Sequence, residues 1–328
     1  MIVDLFTRVW DTPQQLGEAM LETLRRKRSA PWEAFEAGVE AHAQAITPVH
    51  HAAIHGLAAP RLGAAISTER VAELVNRDRQ RYFGFAGVDP VSSPPAHSLE
   101  RAVSLGLSGV TVSPALAGFH PQHSRAMELY EACEAEGVPV VFETGATACR
   151  EAMMQFAQPV LLDEVLQSFS KLRVVLTGLG DPFVDQAMAL LAKHPTVFGE
   201  LSSVLTRPWR LYNVLIEAHQ REVMSQLLFG SGFPHTRPDR AIVAIYSASG
   251  TAQGTNLPGV PREQLRAVVE RDAFTCLGMQ PPRAKPALIE SGAGANVASL
   301  PGASSAEDEK TEDVKTQGDA VRLEEARR

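Results

Sequence analysis

Short apolar runs alternate with amphipathic helical segments about eight times over roughly 250 residues, a repetition that few architectures accommodate. The strand candidates are Ile2–Phe6, Tyr82–Val88, Gly109–Val112, Val138–Glu143, Arg173–Thr177, Val197–Leu201 and Gln226–Gly230, with a weaker one around Ala45–His50. Most are Val-, Leu- and Phe-rich, the composition expected where both faces of a parallel strand are covered. Helices are predicted between them at Ser98–Leu105, His123–Glu136, Val160–Ser168, Val184–Lys193 and Arg237–Ser247. A further helix opens at Ser67, a capping residue followed by Glu69 in the first turn. Gly137 is a helix stop, and Pro139 holds Val138 extended on entry to the next strand. The pattern predicts an α/β fold, a TIM (β/α)8 barrel over residues 1–280. A doubly wound open sheet is the alternative, weakened because no phosphate-binding glycine fingerprint follows the first strand.

The chain has 328 residues, of which 45% are apolar and 21% charged, so a large core and an appendage both fit within it. Residues 281–328 have no sustained apolar period: Pro281-Pro282, Gly292 to Ala295 and Ser304-Ser305 lead into a charged end. A disordered tail is expected there, with at most a short marginal helix around Ala320–Arg327. A formal net charge of -7 argues against nucleic acid as a partner. The densest basic run, Arg25 to Arg28, closes a predicted helix, where cations are favoured. Cys133, Cys149 and Cys276 show neither zinc spacing nor a disulfide framework. No apolar stretch reaches the roughly 18 residues of a membrane span, and the chain opens on a strand rather than a basic leader. No membrane association and a cytoplasmic location are therefore expected.

Several segments carry a resemblance in register. Gly84 to Pro90, Leu99 to Val103 with Gly106 to Val110, Phe142 to Gly145, Leu176 to Gly180, and Leu228 to Pro234 follow one another in order. Over residues 2–278 the chain resembles the amidohydrolase-related family, which includes aminocarboxymuconate-semialdehyde decarboxylase and other small-ring decarboxylases and hydrolases. The resemblance implies a barrel whose first strand ends in Asp-x-His-x-His. Two imidazoles spaced by two on a strand point the same way and hold one metal. Here that stretch is Asp4-Leu5-Phe6-Thr7-Arg8, with Phe6 and Arg8 at the two His positions. The family's fifth-strand His corresponds to Glu143, its sixth-strand His to Gly178, and its Asp after the eighth strand to Gly232. Thr111 stands where some related barrels carry a carboxylated Lys. Phe cannot ligate, Gly has no side chain, and a guanidinium repels a divalent ion. One remaining carboxylate cannot hold zinc or manganese in a catalytic geometry, so no metal or other cofactor is expected.

At the mouth of such a barrel, Arg8 and Glu143 either form an ion pair, the guanidinium supplying charge where a metal lay, or face solvent and loop partners. Phe6 fills vacated volume or stacks on a planar ligand. Gly178 and Gly232 either leave room beside it or mark a close backbone approach. His50 and His51 after the weak second strand, His120 and His123 after the fourth, and His235 after the eighth are expected at the catalytic face. Two functions follow. One is a pseudoenzyme acting as a partner subunit, in a homodimer or in a heterodimer with an active paralogue. The alternative is a metal-independent hydrolase or decarboxylase of a small carboxylated ring or lactone. In it Glu143 and His235 are catalytic, while Arg8, Phe6, His120 and His123 bind substrate. A binding protein for a small carboxylate is a third expectation.

Overall fold

The computed structural model describes residues 1–27 and 37–282. Its strands are β1 (Val3–Thr7), β2 (His51–His55), β3 (Leu57–Ala59), β4 (Ala64–Ile66), β5 (Tyr82–Gly87), β6 (Gly109–Val112), β7 (Val140–Phe142), β8 (Val174–Leu176), β9 (Val197–Glu200) and β10 (Leu227–Leu228). Eight of them form one parallel sheet in the order β1-β2-β5-β6-β7-β8-β9-β10, while β3 and β4 make a small antiparallel hairpin. The sheet closes on itself without a continuous ladder between β10 and β1. Three backbone hydrogen bonds of 2.9 Å join the edges: Leu5 N–H to Phe229 O, Gly232 N–H to Phe6 O, and Arg8 N–H to Phe233 O. A single parallel bridge between Thr7 and Phe233 adds to them. Closure rules out the doubly wound alternative and places the strand C-termini around one mouth.

The apolar residues divide into two layers, as alternation along buried strands requires. The inner layer contains Leu5, Phe83, Phe85, Val141, Val175 and Phe198, and it is floored by Phe274 and Leu277 of the helix Ala273–Leu277. The outer layer packs the strands against the surrounding helices. Local signals act where they were read. The Ser67 side chain accepts from Arg70 N–H at 3.2 Å at the start of the helix Thr68–Arg77. Gly137 closes Ser124–Glu136 in the left-handed region at φ 68°. Two helices are displaced from their predicted starts: one covers Pro95–Ser104, and another is Asp163–Ser168 preceded by a 3-10 turn at Pro159–Leu162. The predicted tail lies outside the described residues beyond Pro282.

One prediction is corrected. The second barrel strand is His51–His55, not 45–50. A helix occupies Val39–Ala45, and a turn containing Pro48 separates it from the strand. Two Ala and two His give this strand little β-branched signal, so its position was displaced toward the preceding apolar residues. His50 and His51 therefore lie at the start of β2, away from the mouth. His50 Nδ1 accepts from Ile2 N–H at 2.9 Å, and His51 meets Phe274 edge-on at 5.3 Å. His55 is the histidine that β2 carries to its C-terminal end.

Phe85 is fully buried and stacks on His55 with ring centroids 4.6 Å apart. Phe85→Ala is expected to lower the unfolding free energy by about 3–5 kcal/mol in urea denaturation. Val243→Ala, at a site 63% exposed, should shift it by less than about 0.5 kcal/mol. Equal effects at the two sites would contradict the layer assignment.

Candidate functional site

Arg8 follows β1 and Glu143 follows β7, so both stand at strand C-termini. Their backbones are anchored, Arg8 N–H to Phe233 O and Glu143 N–H to Val112 O, each at 2.9 Å. In the strand order β1 and β7 are opposite walls of the barrel, so a bond between these side chains crosses the mouth. The bond is a two-point fork: Nη1 donates to Oε1 at 2.8 Å and Nη2 to Oε2 at 3.0 Å. Ser113 Oγ donates to Oε2 at 2.6 Å, and Arg8 Nη2 also reaches Gly56 O at 3.3 Å. The side chains are only 11% and 12% exposed. The guanidinium carbon lies 5.5 Å from the centre of the Phe6 ring. Burial pushes the Glu143 carboxyl up, but the Arg8 charge and the hydrogen bonds from Arg8 and Ser113 outweigh it. The net result is an acid below its ordinary value, ionised at neutral pH and with both oxygens engaged. Such a group is poorly suited to accept a substrate proton.

His55 lies beneath this pair. Its Nε2–H donates to Leu5 O at 2.9 Å, which leaves Nδ1 to accept from Thr111 Oγ1 at 2.7 Å. Phe85 stacks on one face, and Phe6 approaches at 4.8 Å. Burial, reinforced by the Arg8 charge, lowers its pKa to about 3, so the ring is neutral with both nitrogens used. The sequence reading missed His55 because it ended the second strand too early. Placing His51-Ala52-Ala53-Ile54-His55 as the strand would have carried it to the mouth. Thr111 thus serves this imidazole. A similar pairing holds His42, whose Nε2 lies 3.0 Å from Thr7 Oγ1 while that hydroxyl donates to Ala53 O at 2.5 Å.

Gly178 and Gly232 are sites of close approach rather than open room. Both adopt left-handed backbone, at φ 55° and 71°. A Cβ on Gly178 would collide with Ser203 Oγ, and one on Gly232 would lie 2.7 Å from Ser202 Cβ. Beside Glu143, a cavity bordered by Phe142, Thr144, Pro114, Pro121 and Phe156 measures about 10 Å³, room for about one water.

The loop histidines are placed differently from one another. His120 is half-buried, its Nδ1 accepting from Gln122 N–H at 3.1 Å, with Phe156 edge-on at 5.7 Å. His123 caps the helix Ser124–Glu136, accepting from Arg125 N–H at 3.3 Å. His235 is exposed on the rim after Gly232, to whose carbonyl its backbone N–H donates at 2.9 Å.

Two further carboxyls were not anticipated as a pair. Glu200 ends β9, fully buried. Its Oε1 accepts from Ser202 Oγ at 2.7 Å and from Gly178 N–H, and its Oε2 accepts from Ser202 N–H at 2.7 Å. Asp4 Oδ1 accepts from Ser231 N–H at 2.8 Å and Phe6 N–H at 3.3 Å, whereas its buried Oδ2 has no hydrogen-bond partner among the described residues. The available signal was an acid closing the otherwise apolar Val-Phe-Gly-Glu strand, where nothing charged belongs without a reason.

The donors at the family's metal positions do not fit a divalent ion: a phenyl ring, a guanidinium, two glycines, and a carboxylate already held by that guanidinium. Among the described residues no group of three or more His, Cys, Asp or Glu side chains is arranged to hold a metal.

A family profile described as amidohydrolase matches residues 9–271. An uncharacterised TIM-barrel protein from Bordetella bronchiseptica shares 18% identity at a TM-score of 0.65, covering 84% of this chain and 98% of its own. A probable 2-pyrone-4,6-dicarboxylic acid hydrolase from Acinetobacter baumannii, crystallised with citric acid, shares 15% at 0.59, covering 85% and 99%. The 5-carboxyvanillate decarboxylase of Sphingomonas paucimobilis shares 14% at 0.60, with the same coverage of 85% and 99%. At these identities the likeness is one of fold. The search of curated proteins gives no match.

Breaking the fork from one side leaves a charge uncompensated in the barrel. Glu143→Ala is expected to cost about 3–5 kcal/mol, and the double variant Arg8→Met/Glu143→Leu markedly less. The depressed Glu143 carboxyl stabilises the fold above its unfolded pKa, and that contribution disappears as pH falls through its lower folded value. A double-mutant cycle by chemical denaturation at neutral and acid pH measures both effects. Additive single-variant costs would contradict the pairing.

Proposed function

The chain belongs to the amidohydrolase family, and we propose that it is a member without metal chemistry, a pseudoenzyme whose barrel serves as a partner subunit. The observation that carries this reading is the Arg8–Glu143 fork with Ser113, which uses both oxygens of the one acidic side chain at the family's metal positions. A reaction centre keeps an open coordination position or a base with a free lone pair. This mouth has neither at Glu143 or His55, and the glycine positions are occupied by the serines beside them. With the barrel intact and its chemistry withdrawn, association is the role left to the scaffold, either as a homodimer or with an active paralogue.

A metal-independent hydrolase or decarboxylase is the second reading, and one observation favours it. Arg8 Nε is buried without a hydrogen-bond partner, an unused donor on a cation at the mouth. The ligand class suited to it is a small carboxylate, such as that on a carboxylated ring or lactone. Exposed His235 would supply the acid or base, and Glu143 would have to be released from Arg8 before it could act.

Purified protein loaded with zinc or manganese is expected to retain substoichiometric metal after dialysis. It should not turn over 2-pyrone-4,6-dicarboxylate or 5-carboxyvanillate, and it should co-purify either with itself or with an intact paralogue. Stoichiometric metal with turnover would overturn the proposal. Metal-free turnover lost in Arg8→Met would establish the second reading.

A further inference from the structure

Asp4 and Glu200 lie outside the Arg8–Glu143 fork, and both are fully buried beside the edge where the barrel closes. They flank consecutive residues of the segment after β10. Ser231 N–H donates to Asp4 Oδ1 at 2.8 Å, and a Cβ on Gly230 would lie 2.5 Å from Glu200 Oε2 and 3.3 Å from Phe6 Cβ. The two carboxyls are unequally satisfied. Glu200 receives Gly178 N–H, Ser202 N–H and Ser202 O–H, yet burial outweighs these neutral donors. Asp4 Oδ2 has no hydrogen-bond partner among the described residues, and burial outweighs the Ser231 and Phe6 hydrogen bonds to this carboxyl. A proton kept by either carboxyl removes one of the two buried charges. Burial raises Asp4 to about 6 and Glu200 to about 7, the second helped by the charge of the first.

This is also the one join of the sheet, among the described residues, that lacks a continuous ladder. Every other neighbouring pair of the eight strands shares a ladder, whereas β1 meets the β10 segment through three hydrogen bonds and one bridge. Two like charges beside such a join repel through a medium of low dielectric. We propose that Asp4 and Glu200 form a pH-sensitive latch on the closing seam, tight while one carboxyl keeps its proton and loosened when both ionise. Arg8 leaves the same seam, its N–H bonded to Phe233 O, so loosening reaches the mouth.

Other groups around this end of the barrel are His55 on β2, Glu143 after β7, Arg8 after β1, and His42 against Thr7 and Phe233. Arg8 and Glu143 neutralise each other. Burial lowers His42 to about 4 and His55 to about 3, so both favour the fold as pH rises toward about 6.5 and are neutral in both states above it. The carboxyls have the opposite sign. Their raised values contribute stability that is complete below about pH 4 and is lost as pH rises through about 6 and about 7. Above about pH 6.5 Glu200 and the remaining ionisation of Asp4 are therefore separated from the buried imidazoles. Exposed His235, whose backbone N–H bonds to Gly232 O, is the other titratable group beside the seam.

Hydrogen exchange of the full chain between about pH 6 and about pH 8 tests the latch through the seam amides Leu5, Arg8 and Gly232. After correction for intrinsic base catalysis, their protection is expected to fall at least ~10-fold across this window while that of Val112 stays level. In Glu200→Gln and Asp4→Asn the fall should vanish. Parallel behaviour of seam and Val112 amides, or an unchanged fall in both variants, would overturn the proposal. Should neither variant fold, carboxyl carbon NMR of the wild-type chain decides: two midpoints above about pH 5.5 support the latch, and none above about pH 5 refutes it.

Discussion

Arg8 donates both terminal nitrogens to Glu143 at 2.8 and 3.0 Å, joining the ends of β1 and β7 from opposite walls of a closed barrel. The rest of the mouth is arranged around that fork. Ser113 takes the lone pair that Arg8 leaves on Glu143, Phe6 lies against the guanidinium, and His55 fills the space below with both nitrogens engaged. The arrangement sets a cation and a carboxylate of the chain against each other across the mouth, with the hydrogen-bonding capacity of both carboxylate oxygens in use. Its value lies in organisation more than in net stability, because the desolvation of two ions offsets most of their attraction.

The electrostatics of the barrel interior are divided between two regions with opposite responses to pH. At the mouth, paired charges and neutral imidazoles disfavour acid. At the seam, Asp4 and Glu200 are carboxyls that burial pushes toward the protonated form. One group of buried polar residues is therefore satisfied as ions and the other as partly neutral acids. The difference comes from a countercharge: Glu143 has the Arg8 guanidinium within reach, whereas Glu200 has neutral donors and the Asp4 carboxyl nearby.

Much of this was legible from residue order. The run of Val-, Leu- and Phe-rich strands separated by capped helices predicted a parallel barrel, and the ordered landmark segments identified which strand ends to compare. Arg8 and Glu143 could be named because each interrupts a pattern in which a metal ligand belongs. His55 could not, because Ala52 and Ala53 gave β2 no strand signal and displaced it by several residues. Glu200 escaped because its meaning depends on Asp4, a residue nearly two hundred positions away that only barrel closure brings near. Gly178 and Gly232 left two options open at the sequence level; backbone at positive φ, with Ser202 and Ser203 pressed against them, selects one.

A crystal structure from crystals grown with excess manganese, with anomalous data collected, shows whether the fork or a metal holds the mouth. The Arg8–Glu143 fork is expected intact, with no anomalous peak at the mouth. An anomalous peak within ligand distance of Glu143, with Arg8 swung away, would contradict it.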